Sequence, residues 1–311
     1  MEFSYLIVTH GRVVDLSQTL KVIYPTLDVN KDEVLVYIDA CESTEQIRDQ
    51  FPWVRWFSGH KRISASPARA FLYPQAKGKY LIGLDDDAHI ITSDYKEKIR
   101  ALFAQPKIGV LAFKEVKGIF SNDDEALSKV ENTSKFYETN DFIGCGFAIR
   151  KDVYDATRGF PTWIDIYGEE PCLSLEVMDI GFELWFTNQI AVNHRVDLVK
   201  RKLQGKNYFR FQKQLQNSFF IFLNYYPKPL LPIVKLLFHN LKKYGLKDIT
   251  YMKLYIQALK HIFVNYRKKK QFRKPVTDAI LQKIRTSKPL SFSFMLFNSI
   301  YFFRFGFSIT L

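Results

Sequence analysis

Lys79-Tyr80-Leu81-Ile82-Gly83-Leu84-Asp85-Asp86-Asp87 decides how this chain is read. The run from Tyr80 to Leu84 is apolar and of strand length, which predicts a buried strand, and it empties directly into three carboxylates. Carboxylates in a row repel one another, so this strand end calls for a counter-charge, most simply a hard divalent cation with oxygen ligands. A solvated turn or a helix cap is the bland account of an isolated Asp-Asp-Asp run, and the buried strand before it favours the cation.

On the N-terminal side, Phe3-Ser4-Tyr5-Leu6-Ile7-Val8-Thr9 and Glu33-Val34-Leu35-Val36-Tyr37-Ile38-Asp39 have the β-branched, apolar texture of buried strands, with a helix-length segment between them. Residues 54–58 add a strand and 67–76 a helix, giving a β-α-β start and an α/β fold with a mostly parallel, helix-covered sheet. In such sheets ligands bind beyond the carboxyl ends of strands, where Thr9, Asp39 and the triple aspartate all fall. On the C-terminal side, residues 108–113 read as a strand and the acidic stretch 121–140 as a long loop arching over the site. A segment over 142–150 carries Gly144 and Gly146, and a short helix near 152–157 precedes the turn Arg158-Gly159-Phe160-Pro161. Tyr167-Gly168-Glu169-Glu170-Pro171 opens a helix, because proline is tolerated in a first turn; Leu173, Leu175, Val177 and Met178 face the core and Gly181 stops it. Residues 182–187 and 189–193 read as two closing strands ending at His194-Arg195.

The net charge of +13 is unevenly spread: residues 1–199 hold 22 basic and 30 acidic side chains, whereas 200–275 hold 19 basic side chains and one acidic, Asp248. Two regions follow, 1–199 and 200–311. Cys41, Cys145 and Cys172 are widely spaced, which argues against a disulfide framework or a zinc site and fits a reducing, cytosolic compartment. The N-terminus has neither the basic start nor the apolar length of a signal peptide. His10-Gly11-Arg12 stands where a dinucleotide fold has Gly-x-Gly-x-x-Gly, and no Walker-type motif occurs, so phosphate would be handled through a metal.

Over residues 1–195 the order of motifs resembles inverting glycosyltransferase family 2. The opening 6–12 is similar to that family's first strand and base-binding turn, and Tyr37-Ile38-Asp39-Ala40-Cys41-Glu42-Ser43-Thr44 to its second. Ala65-Ser66-Pro67-Ala68-Arg69-Ala70 resembles its Ala-Arg-Asn helix, with Ala70 in place of Asn, and Asp85-Asp86-Asp87 its Asp-x-Asp strand end. The resemblance implies a GT-A fold, a Rossmann-like three-layer sandwich with a C-terminal helical region appended. It implies a nucleotide-diphosphate sugar held by Thr9, Gly11, Arg12, Asp39, Arg69, Asp85 and Asp86, and Mn2+ or Mg2+ on Asp87 and Asp85 with His194 as a further ligand. Residues 143–150, Arg158-Gly159-Phe160 and Tyr167-Gly168-Glu169-Glu170 are similar to the acceptor-side block, which usually ends in Glu-Asp. Here Glu170 takes the place of the second acid, the general base in an inverting displacement, with Glu169 beside it; Cys172 stands where many relatives carry another Asp.

Residues 200–311 alternate lysines with aromatic and aliphatic side chains, and Pro227, Pro229 and Pro232 oppose a straight membrane-spanning helix. Helices over 233–244 and 251–266, then the basic run 267–274, suit an anionic bilayer surface, and 290–311 suits shallow insertion. A peripheral protein on the cytosolic face of a membrane is expected, with a glycan or lipid-linked acceptor and a role in cell-surface polysaccharide or glycolipid synthesis. The alternatives are a helical subdomain with aromatic faces as core and, from another class, a non-catalytic basic protein binding nucleic acid. The last is opposed by the acidic 1–199, which would repel phosphates.

Overall fold

The computed structural model describes residues 1–203, 205–288 and 290. These fall into two compact units, Met1–Gly205 and the residues from Lys206 onward.

The first unit opens with β1 (Phe3–Thr9), α1 (Val13–Ile23), β2 (Asp32–Asp39), α2 (Glu42–Glu45), β3 (Val54–Gly59), α3 (Ala65–Leu72) and β4 (Tyr80–Asp85). It continues with β5 (Ala88–Ile90), α4 (Tyr95–Phe103), β6 (Ile108–Lys117), α5 (Asp123–Leu127), β7 (Phe136–Thr139) and β8 (Gly146–Arg150). It closes with α6 (Lys151–Ala156), α7 (Glu169–Asp179), β9 (Glu183–His194) and α8 (Leu198–Leu203). Among the described residues the strands form one 9-stranded sheet in the order β3-β2-β1-β4-β8-β6-β9-β5, with β7 pairing β9. Strands β1, β2, β3, β4, β6 and β9 run one way, and β5, β7 and β8 run against them. The mostly parallel sheet expected from the strand–helix alternation is therefore present.

Covering the sheet on both faces explains why its central strands are apolar throughout. On one face Phe3, Tyr5 and Ile7 of β1 pack with Leu16 and Leu20 of α1 and Ile99 and Phe103 of α4. The opposite face holds Tyr73, Phe147 and Phe160, with Tyr73 to Phe160 at 4.9 Å between ring centroids. Gly83 lies in β4 because a Cβ there would meet the Phe147 ring at 2.1 Å and the Tyr73 hydroxyl at 2.4 Å. This is the three-layer arrangement that places the end of β4 at the sheet's centre.

Two expectations are corrected. The stretch 121–140 is not an irregular loop: it contains α5, capped by the Asn122 side chain accepting from the Glu125 amide, and β7, which pairs antiparallel with β9. The two closing strands are one, β9, which is parallel to β6 with a register shift and ends at His194.

The second unit contains α9 (Tyr208–Tyr225), α10 (Leu230–Lys243), α11 (Ile249–Lys270) and α12 (Asp278–Thr286). Pro232 lies in the first turn of α10, where its missing N–H costs no intrahelical bond. Asp248 caps α11 by accepting from the Thr250 and Tyr251 amides. No helix among the described residues is long and apolar enough to cross a membrane. Of the segment 290–311, everything after Leu290 lies outside the described residues.

Candidate active site

Strand β4 ends in carboxylates that differ sharply in setting. The Asp85 side chain is partly exposed, whereas those of Asp86 and Asp87 are buried. Thr9 Oγ1, at the end of β1, donates to Asp86 Oδ2 at 2.8 Å, and Arg12 Nη1 to Asp86 Oδ1 at 2.9 Å. Arg12 Nη2 donates to Asp87 Oδ2 at 2.6 Å. Across the site His194, the last residue of β9, places Nε2 3.3 Å from Asp87 Oδ1 and Nδ1 2.6 Å from Glu115 Oε1 of β6. The counter-charge that the sequence assigned most simply to a divalent cation is thus partly supplied by the protein itself.

The electrostatics follow from these partners. Burial pushes the Asp86 carboxyl up to about 7 despite Arg12 and Thr9. Burial also opposes ionisation of Asp87, but the His194 and Arg12 contacts outweigh it and hold that carboxyl down at about 2. For His194, burial disfavours the imidazolium, yet Asp87 and Glu115 outweigh it and lift the ring to about 9.

A second cluster adjoins the first through Asp85. Arg69, buried in α3, donates from Nη2 to Asp85 Oδ1 at 2.8 Å. Its Nη1 lies 3.3 Å from both Glu169 Oε1 and Glu170 Oε1 in the first turn of α7. Burial and the neighbouring Glu170 push the Glu169 carboxyl well above its usual range. Behind them burial, with the Glu170 charge, lifts Asp141 to about 8; its Oδ1 accepts from the Phe142 amide and the Ser174 hydroxyl. Gly144 makes room for the cluster, since a Cβ there would sit 2.5 Å from Glu170 Oε1 and 2.7 Å from Arg69 Nη2. Ala40, Ser64 and Tyr167 hold positive φ in the loops that flank β2, α3 and α7, a strained backbone of the kind concentrated at functional sites.

One atom from each of Asp85, Asp87 and His194 lies within 4.8 Å of the others, the spacing of ligands on one ion. Asp87 Oδ1 is buried and makes no hydrogen bond among the described residues, its near neighbour being His194 Nε2 at 3.3 Å, so the same pair that meets there offers an oxygen and a ring nitrogen to one ion. Of the donor set, the two carboxylates suit Mg2+ and Mn2+ alike, and the imidazole adds a nitrogen ligand of the kind first-row transition metals take. A second group, Glu115, Cys145 and His194, shares the histidine. Sequence spacing hid it, because Cys145 and His194 meet only through the pairing of β8 and β9 with β6.

Of the residues named from the sequence, Arg69, Asp85, Asp87, Glu169, Glu170 and His194 converge on these two adjoining clusters. Thr9 and Asp86 spend polar atoms on each other. Asp39, 2% exposed, accepts from the Ile63 and Ser64 amides through its two oxygens and so orders the entry to α3. Gly11 has φ +70°, which sets the turn that brings Arg12 to the aspartates. Glu115, Asp141 and Arg195 went unrecognised. Glu115 lies beyond the residue at which the sequence ended β6. Arg195 donates from Nη2 to Thr19 Oγ1 at 2.6 Å and approaches His89 Nδ1 at 2.7 Å, tying α1 to the strand end.

No family model and no curated protein matches the chain in sequence. Solved structures do match in fold. A mannosyltransferase from Pyrobaculum calidifontis, PcManGT, solved with GDP-Man and Mn2+, aligns over 85% of this chain and 75% of its own, at 16% identity and a TM-score of 0.54. GalNAc-T7 with UDP, GalNAc and Mn2+ aligns over 86% of this chain at 16% identity and a TM-score of 0.59, and the chain spans 57% of that protein. S. aureus TarS with UDP-GlcNAc aligns over 83% of this chain and 80% of its own, at 14% identity and a TM-score of 0.55. The fold of this chain is the GT-A fold of nucleotide-sugar glycosyltransferases.

Proposed function

We propose that the protein is a Mn2+-dependent glycosyltransferase that moves a sugar from a nucleotide-diphosphate donor to a hydroxyl acceptor. The observation that carries this reading is the meeting of Asp85, Asp87 and His194 at a strand end beside the Arg69, Glu169 and Glu170 cluster, in a fold shared with proteins solved with nucleotide sugars. Asp85, Asp87 and His194 hold the ion, which when bound supplies positive charge to the diphosphate leaving group. Arg69 fixes Asp85 and Glu170 in one frame, so that acceptor and donor sides are positioned together. The Glu170 carboxylate takes the acceptor hydroxyl proton as that oxygen bonds to the anomeric carbon and the bond to the diphosphate breaks, a single displacement with inversion. The acceptor is a glycan or lipid-linked saccharide of cell-surface polymer or glycolipid synthesis at the cytosolic face of a membrane, a reading supported by the basic, aromatic C-terminal unit.

Release or transfer of sugar from a panel of nucleoside-diphosphate sugars with Mn2+ tests the assignment. Asp87→Ala is expected to lose Mn2+ binding and turnover together. Glu170→Gln should keep Mn2+ and donor binding while transfer falls by about 10²–10⁴-fold. Intact turnover in both variants would remove the proposed roles.

A further inference from the structure

The second unit presents faces that the catalytic reading does not use. Along α11, Ile249, Ile256 and Phe263 recur at seven-residue intervals, with Lys253, Lys260 and Arg267 four residues after each. That spacing places all six on one helix face, opposite the buried Tyr255, Ala258 and Ile262, and extends it over about 27 Å. Phe263 is 85% exposed and Ile249 71%. On α10 a second stripe, Leu231, Val234 and Phe238, points away from the buried Ile233 and Leu236 and ends near Lys242.

Such large apolar side chains exposed in sequence need a partner that accepts hydrocarbon, and the cations between them need one that supplies negative charge. The unit supplies little of that charge internally: its acidic residues are Asp248, already paired with Lys206, and Asp278 in the first turn of α12. Nucleic acid fits less well, because Leu231, Val234, Ile249 and Ile256, interspersed with the two phenylalanines, offer no ring for a base to stack on. We infer that the outer faces of α10 and α11 lie in the plane of an anionic bilayer surface, with Phe238, Ile256 and Phe263 entering the acyl boundary and Lys253 and Lys260 reaching the lipid phosphates. This rests on the peripheral-membrane reading above and is independent of the glycosyl-transfer chemistry.

Co-sedimentation of the full chain with phosphatidylcholine vesicles, with and without 30% phosphatidylserine, tests it across a salt series. The wild type should bind the serine-containing vesicles and weaken as salt rises. Phe238→Glu with Phe263→Glu should bind at least about tenfold more weakly, with an unchanged thermal transition because both side chains are exposed. Lys253→Gln with Lys260→Gln should lose about 25-fold, at about fivefold per lysine, and only on anionic vesicles. Mn2+ binding should be the same in every variant, which separates this test from that of the catalytic site. A wild type that ignores both vesicles overturns the membrane reading itself, and variants that bind as well as the wild type overturn the assigned faces. A lipid-free dimer, or an RNA gel shift, abolished by the Phe238 and Phe263 changes would equally overturn the inference in favour of a protein or nucleic-acid partner.

Discussion

Replacing Arg69 by Met removes one buried guanidinium while keeping most of its hydrocarbon against Phe160, whose ring centre lies 5.6 Å from the guanidinium carbon. The carboxylates left behind are unequal. Side-chain exposure is 36% for Asp85 and 20% for Glu170, so both regain some water, but Glu169 is 4% exposed and its Oε2 has no hydrogen-bond partner among the described residues. Stranding a charge of that kind costs about 3–5 kcal/mol, and the lower end applies because Glu169 can escape by taking up a proton. About 3 kcal/mol corresponds to a drop on the order of 10 °C in the Tm of a unit of this size. The loss should depend on pH. In the variant the Glu169 carboxyl, already raised, rises further, so the folded state holds that proton more tightly than the unfolded chain. The pH-dependent part of the penalty is therefore full above the variant's Glu169 value and is gone below the wild-type one, which itself lies well above the usual carboxyl range. Urea unfolding at pH 5, 7 and 9 reads this directly. A loss under about 1 kcal/mol, or one equal at all three values, would refute the buried-charge account of Arg69.

Asp141→Asn probes a neighbouring acid that is buried behind the cluster. A carboxyl lifted to about 8 contributes stability that is complete below its unfolded value and is lost as pH climbs to about 8. Asn keeps the Oδ1 acceptor for the Phe142 amide and the Ser174 hydroxyl, so the variant should gain on the wild type at pH 9 relative to pH 5 in urea midpoints. Arg12→Ala removes a half-exposed cation that pairs with Asp86 and Asp87, and an ion no longer has to compete with it. Mn2+ affinity without donor, measured by calorimetry, should rise on the order of threefold to tenfold; a fall would show that Arg12 assists the ion instead.

The sequence by itself determined β1 to β4, the strand end at Asp85 to Asp87 and the helix opening at Glu169, because each is a local matter of apolar run length, proline tolerance and glycine stops. It placed Arg69 and Glu170 through resemblance, and the charge break near residue 200 separated two regions that the contacts divide at Gly205. It misjudged 121–140, since the acidic, polar composition there describes the exposed parts of α5 and β7 and carries no trace of the partner strand β9. Tertiary structure alone decided what neutralises the aspartates. Arg12 reaches them from the turn after β1, His194 from the end of β9 beside Glu115 of the neighbouring β6, and Arg69 from a helix laid over the sheet. Coulomb forces act over a few ångströms in space, while these residues are separated by up to 182 positions along the chain, from Arg12 to His194, so no window of sequence could show the pairing.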